Sequence, residues 1–206
     1  MTIAAVIGAY LLGAVPTGLL LIRLLRGVDI RAYGSGNIGA SNAFRLAGPS
    51  VAAAVLVLDT AKGVVPVLLA RSWGLTPAAV VLVGLAAIAG HDWSPFLRFR
   101  GGKGVATSLG VLLVLSPAAA AVAVAVWAVV IAATQVASLA SLLAAAAVPG
   151  VMWWRGEPGE HLGFALVALA LVTFAHRANI GRLLRGVELR ITDRRDEVTG
   201  PPERRA

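Results

Sequence analysis

Seven apolar segments, separated by polar loops, dominate this chain of 206 residues. They cover residues 2–22, 51–70, 78–90, 105–116, 118–133, 136–154 and 162–175. Hydrophobic residues make up 58% of the chain and charged residues 14%, against about 45–50% and about 25% in a typical soluble domain. A chain this short cannot bury that excess in water, but a bilayer can accommodate it. The pattern excludes an ordinary soluble enzyme and predicts an all-α membrane protein, a polytopic bundle of seven transmembrane helices.

The distribution of basic residues predicts the orientation of this bundle. With seven crossings, 15 of the 18 Lys and Arg residues lie in loops on one side, whereas only Arg71 and Arg155 lie on the other. By the positive-inside rule, the N-terminus is outside and the C-terminus is cytoplasmic. No basic region precedes the first apolar segment, so we expect a span there and not a signal peptide. We expect one integral membrane domain over residues 1–190 and a polar cytoplasmic tail over residues 191–206, partly disordered.

Composition also limits the chemistry of the chain. It has no cysteine, which excludes disulfides, thiolate catalysis and cysteine-based metal sites. His91, His161 and His176 are too far apart in sequence to share one helix face as metal ligands. We therefore expect no metal. The net charge of +8 is concentrated on one membrane side, so it does not indicate a nucleic-acid partner.

The first polar cluster follows the first apolar segment. Its candidate binding residues are Gly34, Ser35, Gly36, Asn37, Gly39, Ser41, Asn42 and Arg45. The G-x-G-x-x-G spacing imitates a dinucleotide-binding motif, but a membrane span precedes it and Asp59 lies inside an apolar run, which excludes that interpretation. Glycines that expose backbone N–H groups can bind an anion, and an arginine can bind phosphate with two hydrogen bonds. The alternative is a flexible loop that ends in a helix N-cap.

The second cluster contains His91 and the sequence Gly101, Gly102, Lys103 and Gly104, which opens an apolar segment. Free N–H groups, the positive end of a helix dipole and an ammonium group would meet there, which predicts a phosphate or oxyanion site. It is not a Walker A loop, because Leu97 stands where the first glycine belongs. The alternative is a basic loop that only orients the protein.

The third cluster lies where the last apolar segment ends. His176 and Asn179 are three residues apart, which places them on one helix face, and histidine can transfer protons near neutral pH. Arg182, Arg185 and Arg190 are expected to contact anionic lipids. Separately, Asp59 and Lys62 lie within an apolar segment, where charges are costly. We expect them to form an ion pair, with direct substrate contact as the alternative.

Together, these clusters resemble the bacterial acyl-phosphate:glycerol-3-phosphate acyltransferase family. The matching motifs are GSGNIGASN (34–42), DTAKG (59–63), GH (90–91), GGKGVAT (101–107) and HRANI (176–180), in the family's order and spacing. The resemblance extends over about residues 3–190. It implies seven transmembrane helices around a cytoplasmic site in the bacterial cell membrane. One departure is Ser41, where the family usually has threonine; the hydroxyl group is retained.

The resemblance also implies an activity, in which the 1-hydroxyl of glycerol 3-phosphate attacks a fatty acyl phosphate. The products are lysophosphatidic acid and inorganic phosphate, in the first step of phospholipid synthesis. By this resemblance Ser35, Lys103, His176 and Asn179 form the catalytic group, and Arg45 binds phosphate beside them. Asn37, Gly39 and Asn42 shape the first loop. His176 or the acyl phosphate itself could accept the hydroxyl proton, and the sequence does not distinguish these two alternatives.

Other enzymes and transporters are weaker alternatives. Soluble glycerolipid acyltransferases have aspartate five residues after histidine, but this chain has Phe96, Leu166 and Gly181 at those positions. We therefore expect neither CoA nor any cofactor, with glycerol 3-phosphate, acyl phosphate and membrane lipids as the partners. A CDP-alcohol phosphatidyltransferase needs clustered aspartates, which are absent from the sequence. The remaining alternative is a phosphate or organic-anion transporter, although all three clusters fall on one side.

Overall fold

The computed structural model describes residues 1–193, which form ten α-helices and no β-strand. The helices are α1 (Thr2–Ala14), α2 (Thr17–Arg26), α3 (Ala40–Ala47), α4 (Pro49–Ser72), α5 (Pro77–Asp92), α6 (Val105–Leu115), α7 (Pro117–Thr134), α8 (Ala137–Trp154), α9 (Gly159–Ala175) and α10 (Arg177–Leu184). Short 3₁₀ turns cover Ile30–Ala32 and Pro95–Leu97. The all-α prediction is confirmed for this part of the chain. Most of the predicted tail, residues 194–206, lies outside the described residues.

The helices confirm a polytopic arrangement, although fewer than seven are long enough to cross a bilayer alone. Five helical stretches are long and apolar enough: α1 with α2, α4, α5, α7 and α8. A sixth results if α9 and α10, which meet at an angle of 63°, count as one bent span. The 11 residues of α6 rise only about 16 Å, roughly half of the hydrocarbon core. Every predicted apolar segment is mainly helical, with a break in the first at Val15 and Pro16. The count of seven crossings stays a prediction.

Prolines and hydroxyl caps determine where several helices begin. Pro49, Pro77 and Pro117 lie in the first turn of α4, α5 and α7, where the missing N–H group removes no helical hydrogen bond. Thr76 and Ser116 accept hydrogen bonds from the first turns of α5 and α7 through their side chains. Local sequence therefore accounts for these boundaries.

Glycines allow two pairs of helices to pack backbone against backbone. Gly13 and Gly90 lie at the contact between α1 and α5, where a Cβ on either would overlap a carbonyl group of the facing helix. Gly63 and Gly110 do the same between α4 and α6. Close approach at small residues is the usual mode of helix association in membranes, because lipid offers no hydrophobic driving force between helices. These contacts hold α4, α5 and α6 around the polar groups described below.

We expect Gly110→Ala to lower the melting temperature of the protein in detergent. The added Cβ would overlap the Thr60 carbonyl oxygen, and such overpacking costs about 1–3 kcal/mol. Gly163→Ala is the matched control, because that helical glycine has no atom within 4 Å of the new Cβ. Thermal unfolding of both variants measures the difference; equal melting temperatures would mean that α4 and α6 do not need their close contact.

Large apolar side chains cover the outside of the bundle. On α7, Val122, Val124 and Val129 are exposed, and Trp153 and Trp154 project from the end of α8. Aromatic residues at the end of an apolar helix are typical of a membrane interface. The chain is therefore built as a multi-pass membrane protein, with its outer face matched to lipid.

Candidate active site

The first loop is held in shape by one buried side chain, that of Asn42, which is 2% exposed. Its amide nitrogen donates to the carbonyl oxygens of Ile30, Tyr33 and Asn37 at 2.8–3.1 Å, and its amide oxygen accepts from the Ser35 N–H at 3.0 Å. These bonds close the loop onto the start of α3. Ser35 lines the cavity described below, and its backbone amide is already used within the loop.

Two glycines in this loop have a steric role. Gly34 and Gly36 have φ angles of +55° and +70°, which side chains rarely tolerate. A Cβ on Gly34 would also overlap the Asn42 amide oxygen. Gly39 donates its N–H to the Asn37 side chain at 2.9 Å. The glycines thus permit the loop conformation that positions Ser35.

The second loop packs directly on the end of α5. Gly101 and Gly102 donate their N–H groups to the carbonyl oxygens of Asp92 and His91 at 3.0 and 2.9 Å. A Cβ at either glycine would overlap His91, at its carbonyl oxygen or its ring. These two amides therefore have intramolecular partners and are not available to phosphate in this conformation. Their role is to anchor the loop, so that Lys103 extends toward the bundle.

The third cluster forms at the break between α9 and α10. The His176 Nδ1 lies 2.8 Å from the Val172 carbonyl oxygen. Since a carbonyl can only accept, Nδ1 carries the proton, and in the neutral ring Nε2 is left with a free lone pair. His176 and Asn179 are both buried, at 2% and 3% exposure. A buried imidazole with this tautomer can accept a proton from a hydroxyl group.

One cavity of about 360 Å³ brings the three clusters together, at the end of the bundle where α5 and α9 finish and α6 and α8 begin. Eleven of the predicted site residues line it: Ser35, Asn37, Gly39, Ser41, Asn42, Arg45, His91, Lys103, Gly104, His176 and Asn179. The other four, Gly34, Gly36, Gly101 and Gly102, are absent from its lining. The sequence clusters are therefore parts of one site.

Lys103 belongs to a chain of polar contacts in this cavity. Its Nζ donates to the Asn179 amide oxygen at 2.6 Å, and the Asn179 amide nitrogen donates to the Glu188 carboxylate. Glu188 also accepts from Arg182 at 2.7 Å and from Ser138 at 3.0 Å. Burial alone would raise the pKa of Glu188, but these hydrogen bonds hold it below its usual value. The carboxylate therefore stays ionised and fixes the orientation of the Asn179 amide.

Glu188 is a cavity residue that sequence reasoning missed. It lies on a segment that folds back over the cavity after α10, which we call the strap and define as residues 187–191. Arg45 donates to the carbonyl oxygens of Leu189 and Arg190 at 3.3 and 3.0 Å, and Ile191 donates its N–H to the Gln135 carbonyl at 2.7 Å. In the sequence, Glu188 is an acidic residue among arginines. This pattern indicates an ion pair, but it does not show where in the fold the pair lies.

Burial lowers the pKa of the Lys103 ammonium from 10.5 to about 8. Glu188 opposes this effect, whereas Arg182 and Arg45 add to it. The protonated form, which carries the positive charge, therefore predominates only below about pH 8. Of the two acids that line the cavity, Asp59 is paired with Lys62 and Glu188 with Arg182. The charges of Arg45 and Lys103 are therefore left to attract a phosphate group.

We expect kcat/KM for a phosphate-bearing substrate to fall as the pH rises above about 8, because Lys103 then loses its charge in the free enzyme. Bound phosphate favours the ammonium form, so the fall in kcat should occur at higher pH than the fall in kcat/KM. Initial rates over a range of pH, corrected for blanks without enzyme, measure both. A kcat/KM that stays flat through this range would contradict a role for the Lys103 charge.

An apolar groove of about 270 Å³ adjoins the polar cavity. The two share Leu56, Val105, Ala106, Trp127 and Ser141 in their linings. From there, the groove runs between α6, α7, α8 and α9 to the buried side chain of Phe164. A polar, cationic cavity that opens into an apolar groove can hold a phosphate and an alkyl chain side by side.

A buried ionic network lies behind the cavity. The Lys62 Nζ donates to Asp59 at 2.7 Å and to Thr17 at 2.9 Å, and it also donates to the Val15 carbonyl oxygen. The predicted ion pair is therefore present, and it ties the break between α1 and α2 to α4. Asp59 also lies 3.7 Å from His91 Nδ1, and both residues line the cavity. The network supports the cavity wall from behind.

Comparisons with known proteins agree on one family. The family model described as glycerol-3-phosphate acyltransferase matches residues 3–186. A protein of that name from Desulforudis audaxviator is 50% identical over 196 residues, which is 95% of this chain and 98% of the relative. Another from Myxococcus xanthus is 49% identical over 92% of this chain and all of the relative.

Two solved structures are also similar to this chain. Both are of PlsY (YgiH), an integral membrane glycerol 3-phosphate acyltransferase, in a glycerol 3-phosphate form and a lysophosphatidic acid form. The first has 40% sequence identity and a TM-score of 0.87, and the second 39% and 0.86. Each covers 92% of this chain and 94% of the compared chain.

Proposed function

The chain belongs to the glycerol-3-phosphate acyltransferase family, and from that premise we propose that it acylates glycerol 3-phosphate from a fatty acyl phosphate. The products are 1-acyl-glycerol 3-phosphate, which is lysophosphatidic acid, and inorganic phosphate. The observation that carries this proposal is the junction of a cationic polar cavity with an apolar groove. One substrate of this reaction is a small phosphate ester, and the other has both a phosphate and a long alkyl chain.

Acyl phosphate is suited to a site without an enzyme nucleophile. The 1-hydroxyl oxygen forms a bond to the acyl carbon, the bond from that carbon to the phosphate oxygen breaks, and phosphate leaves with the electron pair. Phosphate is a good leaving group, so positioning and charge stabilisation can supply most of the rate enhancement. Lys103 and Arg45 would hold the phosphate groups, and Ser35 and Asn179 would orient the glycerol.

We propose an acceptor within the cavity for the proton released from the hydroxyl. His176 Nε2 has a free lone pair, because Nδ1 is bound to the Val172 carbonyl oxygen. Burial and the nearby Lys103 charge lower the pKa of His176 to about 4, so the imidazole is a weak base and the acyl phosphate remains the alternative acceptor.

We further propose that the chain crosses the bacterial cell membrane seven times, with the N-terminus outside and the site on the cytoplasmic face. Basic residues support this orientation, because Arg45 and Lys103 line the cavity and belong to the loops that hold 15 of the 18 Lys and Arg residues. The short helix α6 would cross with the help of the loop before it. Both glycerol 3-phosphate and the leaving phosphate would then exchange with the cytoplasm.

Purified protein reconstituted into vesicles, supplied with radiolabelled glycerol 3-phosphate, tests the donor. We expect labelled lysophosphatidic acid with palmitoyl phosphate and none with palmitoyl-CoA, because Lys103 and Arg45 in the cavity suit a phosphate leaving group. Product from palmitoyl-CoA alone would contradict the proposed donor. Accumulation of intact glycerol 3-phosphate inside sealed vesicles, without product, would instead support the transporter alternative.

A further inference from the structure

A second cleft meets the reaction cavity at Lys103. Its volume is about 720 Å³, and it shares the side chains of Lys103 and Asn37 with that cavity. Gly36, Gly101 and Gly102, the glycines of the two loops, form part of its wall. The loops that shape the reaction cavity therefore also shape this cleft.

The strap over residues 187–191 lines the reaction cavity through Glu188 and Ile191. It is fastened to α3 by Arg45, to the turn between α7 and α8 by the hydrogen bond from Ile191 to Gln135, and to α8 by the bond between Glu188 and Ser138. A polar substrate that entered beneath the strap would have to break these contacts. The second cleft reaches Lys103 without disturbing them.

The charges that face this cleft favour an anion. Arg31 is neutralised by Asp29, which it contacts at 2.6 Å. Arg100 has no carboxylate partner within residues 1–193, and Arg177 lies over the Phe174 ring at 4.6 Å. Both arginines line the cleft. Arg177 donates one N–H to the Phe174 carbonyl oxygen at 3.1 Å, and its other N–H groups remain available. Cationic groups around a concave surface raise the local concentration of an anionic ligand.

The remaining acid at the cleft is Asp92, whose carboxylate oxygens are buried and have no hydrogen-bond partner among the described residues. They lie against Gly104, where a Cβ would be 3.0 Å from one of them. The carboxylate is therefore covered by the loop and does not present its oxygens to a ligand. Lys103, Arg100 and Arg177 are therefore the charged groups of the cleft that can contact an anion.

We propose that this second cleft is a phosphate-binding vestibule, in which glycerol 3-phosphate is captured by Arg100 and Arg177 before it passes Lys103 into the reaction cavity. The proposal rests on the proposed function, since it assumes that glycerol 3-phosphate is the substrate. The recognised group is a phosphate monoester anion, and an anionic lipid headgroup offers the same chemistry. Lys103 is the point of transfer, because it borders both spaces.

The first test compares Arg100→Gln with Arg98→Gln. Both arginines are exposed and belong to the same loop, but only Arg100 lines the cleft. We expect Arg100→Gln to lower kcat/KM for glycerol 3-phosphate by about threefold to tenfold, with kcat unchanged, because removal of a guiding charge slows capture. The difference from wild type should shrink as salt is added. Equal kinetics for the two variants would overturn the proposal.

Vesicle composition separates substrate capture from lipid binding. In vesicles of phosphatidylcholine alone, which has no net charge, the defect of Arg100→Gln should persist. A defect that appears only when phosphatidylglycerol is added would mean that Arg100 binds lipid headgroups, which overturns the vestibule.

A crosslink tests the route itself. The Ile191 N–H donates to the Gln135 carbonyl oxygen at 2.7 Å, which makes these residues neighbours and a candidate pair for an engineered disulfide. The natural chain has no cysteine, so a Gln135→Cys, Ile191→Cys variant has only the two new thiols, and thiol titration reports their oxidation. If glycerol 3-phosphate enters through the vestibule, the oxidised and reduced forms should agree in kcat/KM within about twofold. Loss of activity on oxidation, restored by reductant, would show entry beneath the strap and overturn the proposal.

These tests distinguish the vestibule from the proposed function. If wild-type protein makes no lysophosphatidic acid, the proposed function fails. If wild type is active but Arg100→Gln behaves like Arg98→Gln, only the vestibule fails.

Discussion

Replacement of Lys103 by alanine should lower turnover by about a thousandfold, because one preorganised donor to a developing negative charge is worth about 10²–10³ in rate and this donor also carries a full charge. Lys103 donates to Asn179 at 2.6 Å and borders both the reaction cavity and the second cleft. Its removal leaves the phosphate groups with Arg45 and the more distant Arg182. Steady-state rates with glycerol 3-phosphate and acyl phosphate measure the loss.

The fold should survive this change. Burial of the charged ammonium is unfavourable, as the lowered pKa of Lys103 indicates. Its removal therefore loses one hydrogen bond but also relieves this desolvation penalty. Melting temperatures of Lys103→Ala and wild type should therefore be close. Arg185→Ala, at an exposed position outside the cavity lining, is the matched control and should keep wild-type turnover. Substantial activity in Lys103→Ala would mean that the second loop does not belong to the active site.

The second large effect is expected on stability. Lys62→Met should destabilise the protein by about 3–5 kcal/mol, because it leaves the buried Asp59 carboxylate without its charged partner. Asp59 and Lys62 are 2% and 4% exposed, and the Lys62 Nζ is 2.7 Å from the carboxylate. Thermal unfolding in detergent measures the loss. The effect should exceed that of any single surface substitution, which is usually within about 0.5 kcal/mol.

A double variant separates the charge from the packing. In Asp59→Asn, Lys62→Met no charge remains buried, so most of the lost stability should return. Recovery supports a structural ion pair. If Asp59→Asn alone abolished turnover at an unchanged melting temperature, Asp59 would contact substrate, and the structural interpretation would be wrong.

The sequence predicted the helical segments because apolar residues must lie in lipid, and their limits follow from local features such as Pro77 and Pro117. It also predicted the pair Asp59 and Lys62, from two charges within one apolar segment at i, i+3 spacing. The helix α3 was missed, since residues 23–50 were interpreted as a loop. Its eight residues are too few for a clear periodic signal, and Asn42 holds it through contacts with the loop before it.

The sequence predicted most of the residues of the site, but not their hydrogen-bond partners. A Gly-Gly-Lys sequence before an apolar helix looks the same whether its amides face a ligand or the end of another helix. In the structure, the Gly101 and Gly102 N–H groups donate to carbonyl oxygens at the end of α5. This choice of partner depends on the tertiary fold and cannot be predicted from the local sequence. Glu188 was missed for a related reason, because its partners Ser138 and Asn179 are 50 and 9 residues away.

The most direct test of the account follows two products in one reaction. Purified wild-type protein, with palmitoyl phosphate and glycerol 3-phosphate and without CoA, should release lysophosphatidic acid and inorganic phosphate in equal amounts throughout the time course. Equal amounts are expected because each acyl group passes directly to the hydroxyl as its phosphate leaves. Release of phosphate without lysophosphatidic acid, or formation of lysophosphatidic acid only after a CoA thioester is added, would contradict the proposed acyl transfer.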